Sequence, residues 1–157
     1  SGDPQVLKDV KKGVTREEMI EAGRKLKRCG ILCSATLISG LGGRQRLREH
    51  AIASASLISA IKPDYVGFLT LMIDPQAPVY SKIVSGELEL LNPEDVVEEM
   101  KLFLQNVDSE GTVFRSNHAS NYVILKGTLN EDIPSMMAYL RQVEEQGKYR
   151  EERWRRF

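Results

Sequence analysis

Cysteine is scarce in this chain: of 157 residues, two are thiols, Cys29 and Cys33, both within the segment CGILC. Two thiols cannot build a disulfide framework, and their spacing is not that of a usual zinc knuckle. They read as small apolar residues bound for the interior. Net charge is equally lacking, since 22 Lys and Arg balance 22 Asp and Glu. No global field therefore draws the chain to nucleic acid or anionic lipid. No apolar run approaches the roughly 18 residues of a membrane span, and no signal-peptide pattern opens the sequence. A cytoplasmic protein without membrane contacts is the expectation. Repeats and low-complexity segments are missing too, and the length suits one domain over residues 1–157 with a real core.

What is there alternates. GVTREEMIEAGRKLKRCG carries a capping box in Thr15 and Glu18, an apolar face through Met19, Ile20, Gly23 and Leu26, a basic last turn, and Gly30 as its stop. ILCSATLIS follows, apolar without strict alternation, as in a strand buried in a parallel sheet. GLGG leads into the helix RQRLREHAIASASLISAIK, which Pro63 and Asp64 break before a second strand, YVGFLTLMI. DPQAPVYSKIVSGELELL is irregular, with room for one helical turn. Asn92 and Pro93 cap and start the helix of NPEDVVEEMKLFLQNV. GTVFR is a short strand, and NEDIPSMMAYLRQVEEQGKYREERWRRF a last helix with a mixed-charge tail over residues 148–157. Strands alternating with amphipathic helices imply βαβ units and an α/β fold. The opening SGDPQVLKDVKKG offers loop and helix but no first strand. Three secure strands are few for a covered parallel sheet, so the sequence reads as the C-terminal piece of a longer polypeptide.

SGDPQVLKDVKKGVTREEMIEAGRKLKRCGI, LISGLGG, LTLMIDPQAPVYSKIVSGELELL and FRSNHASNY with LKGTL, in that order, resemble the second half of a radical SAM protein. The resemblance runs from Ser1 to about Pro134. It implies half of a parallel (β/α) barrel. It also implies an iron–sulfur oxidoreductase that holds S-adenosylmethionine beside a 4Fe–4S cluster and cleaves it to a 5′-deoxyadenosyl radical. On that resemblance Ser1, Gly2 and Asp3 are the remainder of a cofactor-binding segment. Ile38 packs on adenine, Gly40 admits close backbone approach, and the strand around Leu71 meets the adenine edge. Where the family usually has Pro-Gly-Thr-Pro, Pro75, Gln76, Ala77 and Pro78 stand here, so that turn is altered. The cluster needs three thiolates in CxxxCxxC. Cys29 and Cys33 have the first spacing, but Thr36 stands at the third position, and barrel sites gather at the other ends of the strands. The cluster would therefore belong to the absent N-terminal half, which becomes the implied partner. This chain alone is expected to bind neither cluster nor cofactor, to hold no metal and to be inactive.

FRSNHASNY crowds polar side chains at the end of a strand, where barrel sites assemble. His118 suits proton relay and Arg115 a two-pronged hold on a substrate carboxylate; Asn117 and Asn121 suit orientation of a small or macromolecular substrate. The competing reading is a turn whose Ser and Asn side chains satisfy its own backbone. GLGG fits an anion at a helix start or simply a tight connection. His50, beside Arg48, Glu49 and Ala51, reads as a partly exposed surface histidine without a second ligand at i+4. Asp74 either faces the pocket or starts the turn at Pro75. KYREERWRRF, with Tyr149, Trp154 and Phe157, reads first as a solvated helix end anchored by an aromatic. Two other functions stay open: a non-catalytic module that dimerises through exposed strand edges, and an RNA-associated enzyme using the Arg-rich tail.

Overall fold

The chain, as a computed structural model, is described over residues 1–156; Phe157, one of the three aromatics of the tail, lies outside the described residues. Two helices come first, α1 (Pro4–Asp9) and α2 (Arg16–Arg28). The βαβ units come next as β1 (Ser34–Ser39), α3 (Leu47–Ile61), β2 (Tyr65–Thr70), α4 (Tyr80–Val84), α5 (Pro93–Asn106) and β3 (Val113–Arg115). A fourth strand, β4 (Lys126–Thr128), and α6 (Ile133–Gln146) complete the fold. The capping boxes at Thr15 and Asn92 form, each satisfying two amides at a helix start.

The sheet has the order β1-β2-β3-β4, with β1, β2 and β3 parallel and β4 antiparallel to β3. Because the parallel strands lie in chain order, right-handed crossovers carry α3 and α5 to the same face. One core results. Leu37, Val66, Phe68 and Phe114 point into it and meet Ala55 and Ile58 of α3, Val97, Met100, Phe103 and Leu104 of α5, and Met136 and Leu140 of α6. Phe68, Phe103 and Phe114 form its centre, with ring centroids 4.9 to 6.1 Å apart, the offset spacing aromatic rings prefer. The alternate strand residues face away. Thr36, Tyr65 and Arg115 are exposed, and Ile38, Gly67, Leu69 and Val113 are partly so. This is an open α/β sheet covered on one side.

Several expectations change. β4 was not foreseen; it forms because LKGTL doubles back along β3 and α6 closes on Gly127, where a Cβ would stand 2.9 Å from Asp132 Cβ. β2 stops at Thr70, and Leu71 to Ile73 lie beyond it. Cys33 is buried but Cys29 is exposed at the end of α2, so it is not a core residue. His50 is not a surface histidine: it is 3% exposed, on the inner side of α3. The tail is no helix end. α6 ends at Gly147, in left-handed conformation at φ 60°, and residues 148–156 fold back over the FRSNHASNY loop, where Arg150 and Arg155 bond its carbonyls. No helix among the described residues is long and apolar enough to cross a membrane.

Candidate functional site

The carboxyl ends of β1 and β2 open into a cleft of about 220 Å³. Ser39, Gly40, Thr70 and Leu71 form one side, Leu90 and Leu91 another, and Tyr122, Glu152 and Arg155 the third. Gly40 turns the chain out of β1 at φ 85°, a left-handed conformation that a side chain strains.

Beneath Ser39 and Gly40 lies a buried polar group of three side chains. Glu99, on α5 and 1% exposed, takes hydrogen bonds from Ser39 Oγ, from Gly40 N at 2.9 Å, and from His50 Nδ1 at 2.5 Å. A buried carboxylate is tolerated when its lone pairs are filled in this way. With the acid between serine and histidine, this is not the arrangement of a nucleophilic triad, in which the histidine stands between serine and acid. It fixes the corner where β1 ends. His50 Nε2 is buried without a partner.

The FRSNHASNY loop divides its work. Asn121 is buried; its carbonyl accepts from Thr70 Oγ1 at 2.9 Å and its amide nitrogen donates to Phe68 O and Ser116 O. Its hydrogen bonds thus go to the protein, holding the loop to the end of β2. Ser116 Oγ bonds Val123 O and Leu125 N across the turn, and Ser120 Oγ accepts from Thr70 N. Arg115, Asn117 and His118 are exposed. His118 Nδ1 accepts from Ser120 N at 3.2 Å and faces Ser120 Oγ at 2.9 Å, so the hydrogen-bond pattern assigns its proton to Nε2.

The tail is a strap over this loop. Arg150 donates to Ala119 O, and its own amide bonds Tyr122 O at 2.8 Å. Arg155, 6% exposed, donates to Ser120 O at 2.6 Å, Tyr122 Oη at 2.5 Å, Leu71 O at 3.2 Å and both oxygens of Glu152. Its guanidinium also stacks over the Tyr122 ring, 4.1 Å from the centroid. The anchor is this arginine, while Trp154 is 59% exposed.

Burial, and next the hydrogen bond to Glu152, push the Tyr122 phenol up to about 12. A phenol whose folded pKa lies above its unfolded value stabilises the fold below about pH 10 and loses that contribution as pH rises toward 12. Tyr122→Phe should therefore remove one late-ionising tyrosine from an ultraviolet difference titration. Burial raises Tyr149 as well, so the readout is the number of late-ionising groups: if it is unchanged in the variant, Tyr122 is not among them.

Ser1, Gly2 and Asp3 do not line the cleft; they pack against α3, with the Ser1 amino group within electrostatic reach of Glu99. A Cβ on Gly2 would stand 2.1 Å from Ala53 O, so only glycine fits. Asp3 Oδ1 caps α1 through Gln5 N and Val6 N, and its Oδ2 holds Arg46 at 2.9 and 3.1 Å. Burial pushes the Asp3 carboxyl up, but Arg46 and the two amides outweigh it, and the net shift is downward. Leu71 is also committed: its N–H bonds Ser39 O and its carbonyl accepts from Arg155. Ile38 stands on the uncovered sheet face beside its register partner Leu69.

Among the described residues no three His, Cys, Asp or Glu side chains are grouped to hold a metal. With Cys29 exposed and Cys33 buried, these residues do not fit a 4Fe–4S cluster. In comparison with known proteins, no family model matches the chain and no curated protein is similar to it at a significant level. Sequence reasoning missed Glu99, His50, Tyr122 and Arg155. The first two carry a signal, since each sits at core-facing helical spacing: Val96, Glu99, Met100 and Phe103 on α5, and His50, Ser54, Leu57 and Ile61 on α3.

Proposed function

We propose that this chain is the C-terminal half of a radical SAM barrel, contributing one wall of the site for S-adenosylmethionine and substrate. The observation that carries it is the uncovered sheet face. Parallel sheets are ordinarily covered on both sides, yet the core here lies on one side and leaves Ile38, Leu69, Val113 and Arg115 on the other. In a closed barrel that face is the lumen. The β1 edge supports the same reading. SATLIS carries neither charge nor proline, and an edge strand without such protection invites a neighbour.

The adenosyl group would meet the apolar pair Ile38 and Leu69, the pair that fits it best here. The cofactor supplies the radical chemistry when bound, and the protein's part is binding and exclusion of water. This chain would bring Arg115, Asn117 and His118 to the substrate. Asn121 and Arg155 hold the loop that carries Asn117 and His118, and Glu99 and His50 hold the Ser39–Gly40 corner. The cluster and its three thiolates would come from the N-terminal half.

The test is the intact mass of the native protein, with sequencing through the region before Ser1. A heavier polypeptide carrying CxxxCxxC upstream is expected, and that protein should release 5′-deoxyadenosine from S-adenosylmethionine under reduction. A native polypeptide without the motif overturns the reading. The open β1 edge also favours a second reading, a binding module in which two copies pair edge to edge; a dimer that proline substitution at Thr36 abolishes would support it. The RNA reading has less support, because Arg150 and Arg155 are occupied by carbonyls, Tyr122 and Glu152.

A further inference from the structure

We propose that the uncovered sheet face holds a site for an oxyanion, a carboxylate or phosphate group of the substrate, formed by Arg115 and Lys126 beside the bare backbone of Gly67. The register aligns Thr36 with Gly67, Gly67 with Arg115, and Arg115 with Lys126. These four form one row across all four strands. Their side of the sheet is set by the pleat, because the flanking Leu37, Val66, Phe68 and Phe114 point into the core.

Three features of the row lack a structural reason and share a chemical one. Arg115 and Lys126 stand directly opposite each other on antiparallel strands, where like charges repel. Neither forms an ion pair with a carboxylate among the described residues. Gly67 interrupts β2, yet its φ is not positive, and a Cβ there would meet nothing nearer than Thr36 Oγ1 at 3.9 Å. Glycine inside a strand weakens it, and one that neither packing nor conformation requires marks a place where something approaches the backbone. Along β2, Gly67 is a gap on this face between Tyr65 and Leu69, with Arg115 on the adjacent strand and Lys126 one strand further. An anion seated there would relieve the repulsion, Arg115 offering the donors of its guanidinium other than the one bonded to Phe114 O, and Lys126 a point charge. The apolar pair Ile38 and Leu69 lies two residues up the strands, about 7 Å away. The row therefore suits a molecule with an anionic end and an apolar body.

This inference rests on the half-barrel reading for its claim that the ligand is a substrate, but binding itself can be tested on the 157-residue chain. Titration with inorganic phosphate and, separately, with acetate is followed by amide chemical shifts. Shifts should centre on Thr36, Gly67, Arg115 and Lys126, with Arg115→Gln and Lys126→Gln each weakening the affinity at least fivefold. Both side chains are exposed, so the variants should keep the fold, which the remaining amide shifts verify. Gly67→Val, which fills the gap, should abolish binding while both cations remain. Phosphate binding more tightly than acetate would indicate a phosphate ester, and the reverse a carboxylate. Shifts scattered over other Lys and Arg residues, or unchanged by the three substitutions, overturn the site. A focused response in a protein whose native form lacks CxxxCxxC would keep the site and sink the half-barrel.

Discussion

Glu99→Ala should cost this chain about 3–5 kcal/mol of stability, the range for breaking a buried ion pair or charge-assisted network by removing one partner. The carboxylate takes hydrogen bonds from Ser39, Gly40 and His50. Removing it leaves those donors dry and unpaired, at about 1–3 kcal/mol each before relaxation. Glu99→Gln keeps the shape and an acceptor oxygen but presents its amide to one set of donors, so an intermediate loss of about 1–3 kcal/mol is expected. The double variant Glu99→Leu with His50→Leu should lose less than the sum of the two single changes, because it removes the His50–Glu99 pair together and leaves only Ser39 Oγ and Gly40 N without their acceptor. Urea denaturation of the parent and these variants, with the two single leucine changes alongside, checks this. An alanine variant within about 1 kcal/mol of the parent would mean that water replaces the carboxylate and that the network does not hold the cleft corner.

The parts of the fold that the sequence made legible are those in which local chemistry and packing agree. Thr15 with Glu18 and Asn92 with Pro93 announce helices α2 and α5 because capping is decided within one turn. The part of ILCSATLIS from Ser34 on and the first part of YVGFLTLMI are β1 and β2, where alternate residues reach the core, whereas Ile31 and Leu32 precede the strand and are exposed. β4 was not legible: three residues, Lys126 to Thr128, have no period of their own, and they become a strand because β3 lies beside them. The loss of Leu71 to Ile73 from β2 has a similar cause. β1 ends at Ser39 and turns at Gly40, so the pairing with β2 runs out one bond later, at Leu71 N.

The site was less legible than the fold for a related reason. A polar cluster in sequence does not say which members face a ligand and which face one another. In FRSNHASNY, Ser116, Ser120 and Asn121 turn inward to bind the backbone of β2 and of their own loop, and Arg115, Asn117 and His118 remain outside. The self-satisfied turn describes Ser116, Ser120 and Asn121, and the other three side chains are left exposed. Glu99 and His50 were missed, although each sits at core-facing spacing on its helix, a pattern that demands a buried partner. Nothing near Arg155 distinguishes it from Arg153 or Arg156; its burial depends on where the strap lands.

Arg155→Ala should release that strap. The residue is 6% exposed and its side chain donates to Ser120 O, Leu71 O, Tyr122 Oη and Glu152. Hydrogen bonds from a charged donor contribute about 1.5–3 kcal/mol each, more in total than a short chain end held by few other contacts can replace. The loss should be local. Residues 148–156 contribute only Tyr149 to the apolar core, as a partly buried neighbour, so they can detach while α3, α5 and the sheet stay folded. Exchange of the Arg150 amide, which bonds Tyr122 O at 2.8 Å, should accelerate by roughly 30–100-fold, equivalent to about 2–3 kcal/mol. The global denaturation midpoint should move little. Glu152→Gln, at an acid 68% exposed, should change exchange far less, since screened ion pairs contribute about 0–1 kcal/mol. Arg155→Lys should fail to restore protection, because one ammonium cannot reach Ser120 O, Leu71 O and Tyr122 Oη together from a planar fork's position. Protection restored by lysine would show that charge alone holds the strap; unchanged exchange in the alanine variant would show that Arg150 and the backbone hold it without Arg155. If the strap does detach, the cleft at Ser39, Gly40 and Leu91 loses Glu152 and Arg155 but keeps Tyr122, and residues 148–156 control access to the carboxyl ends of β1 and β2.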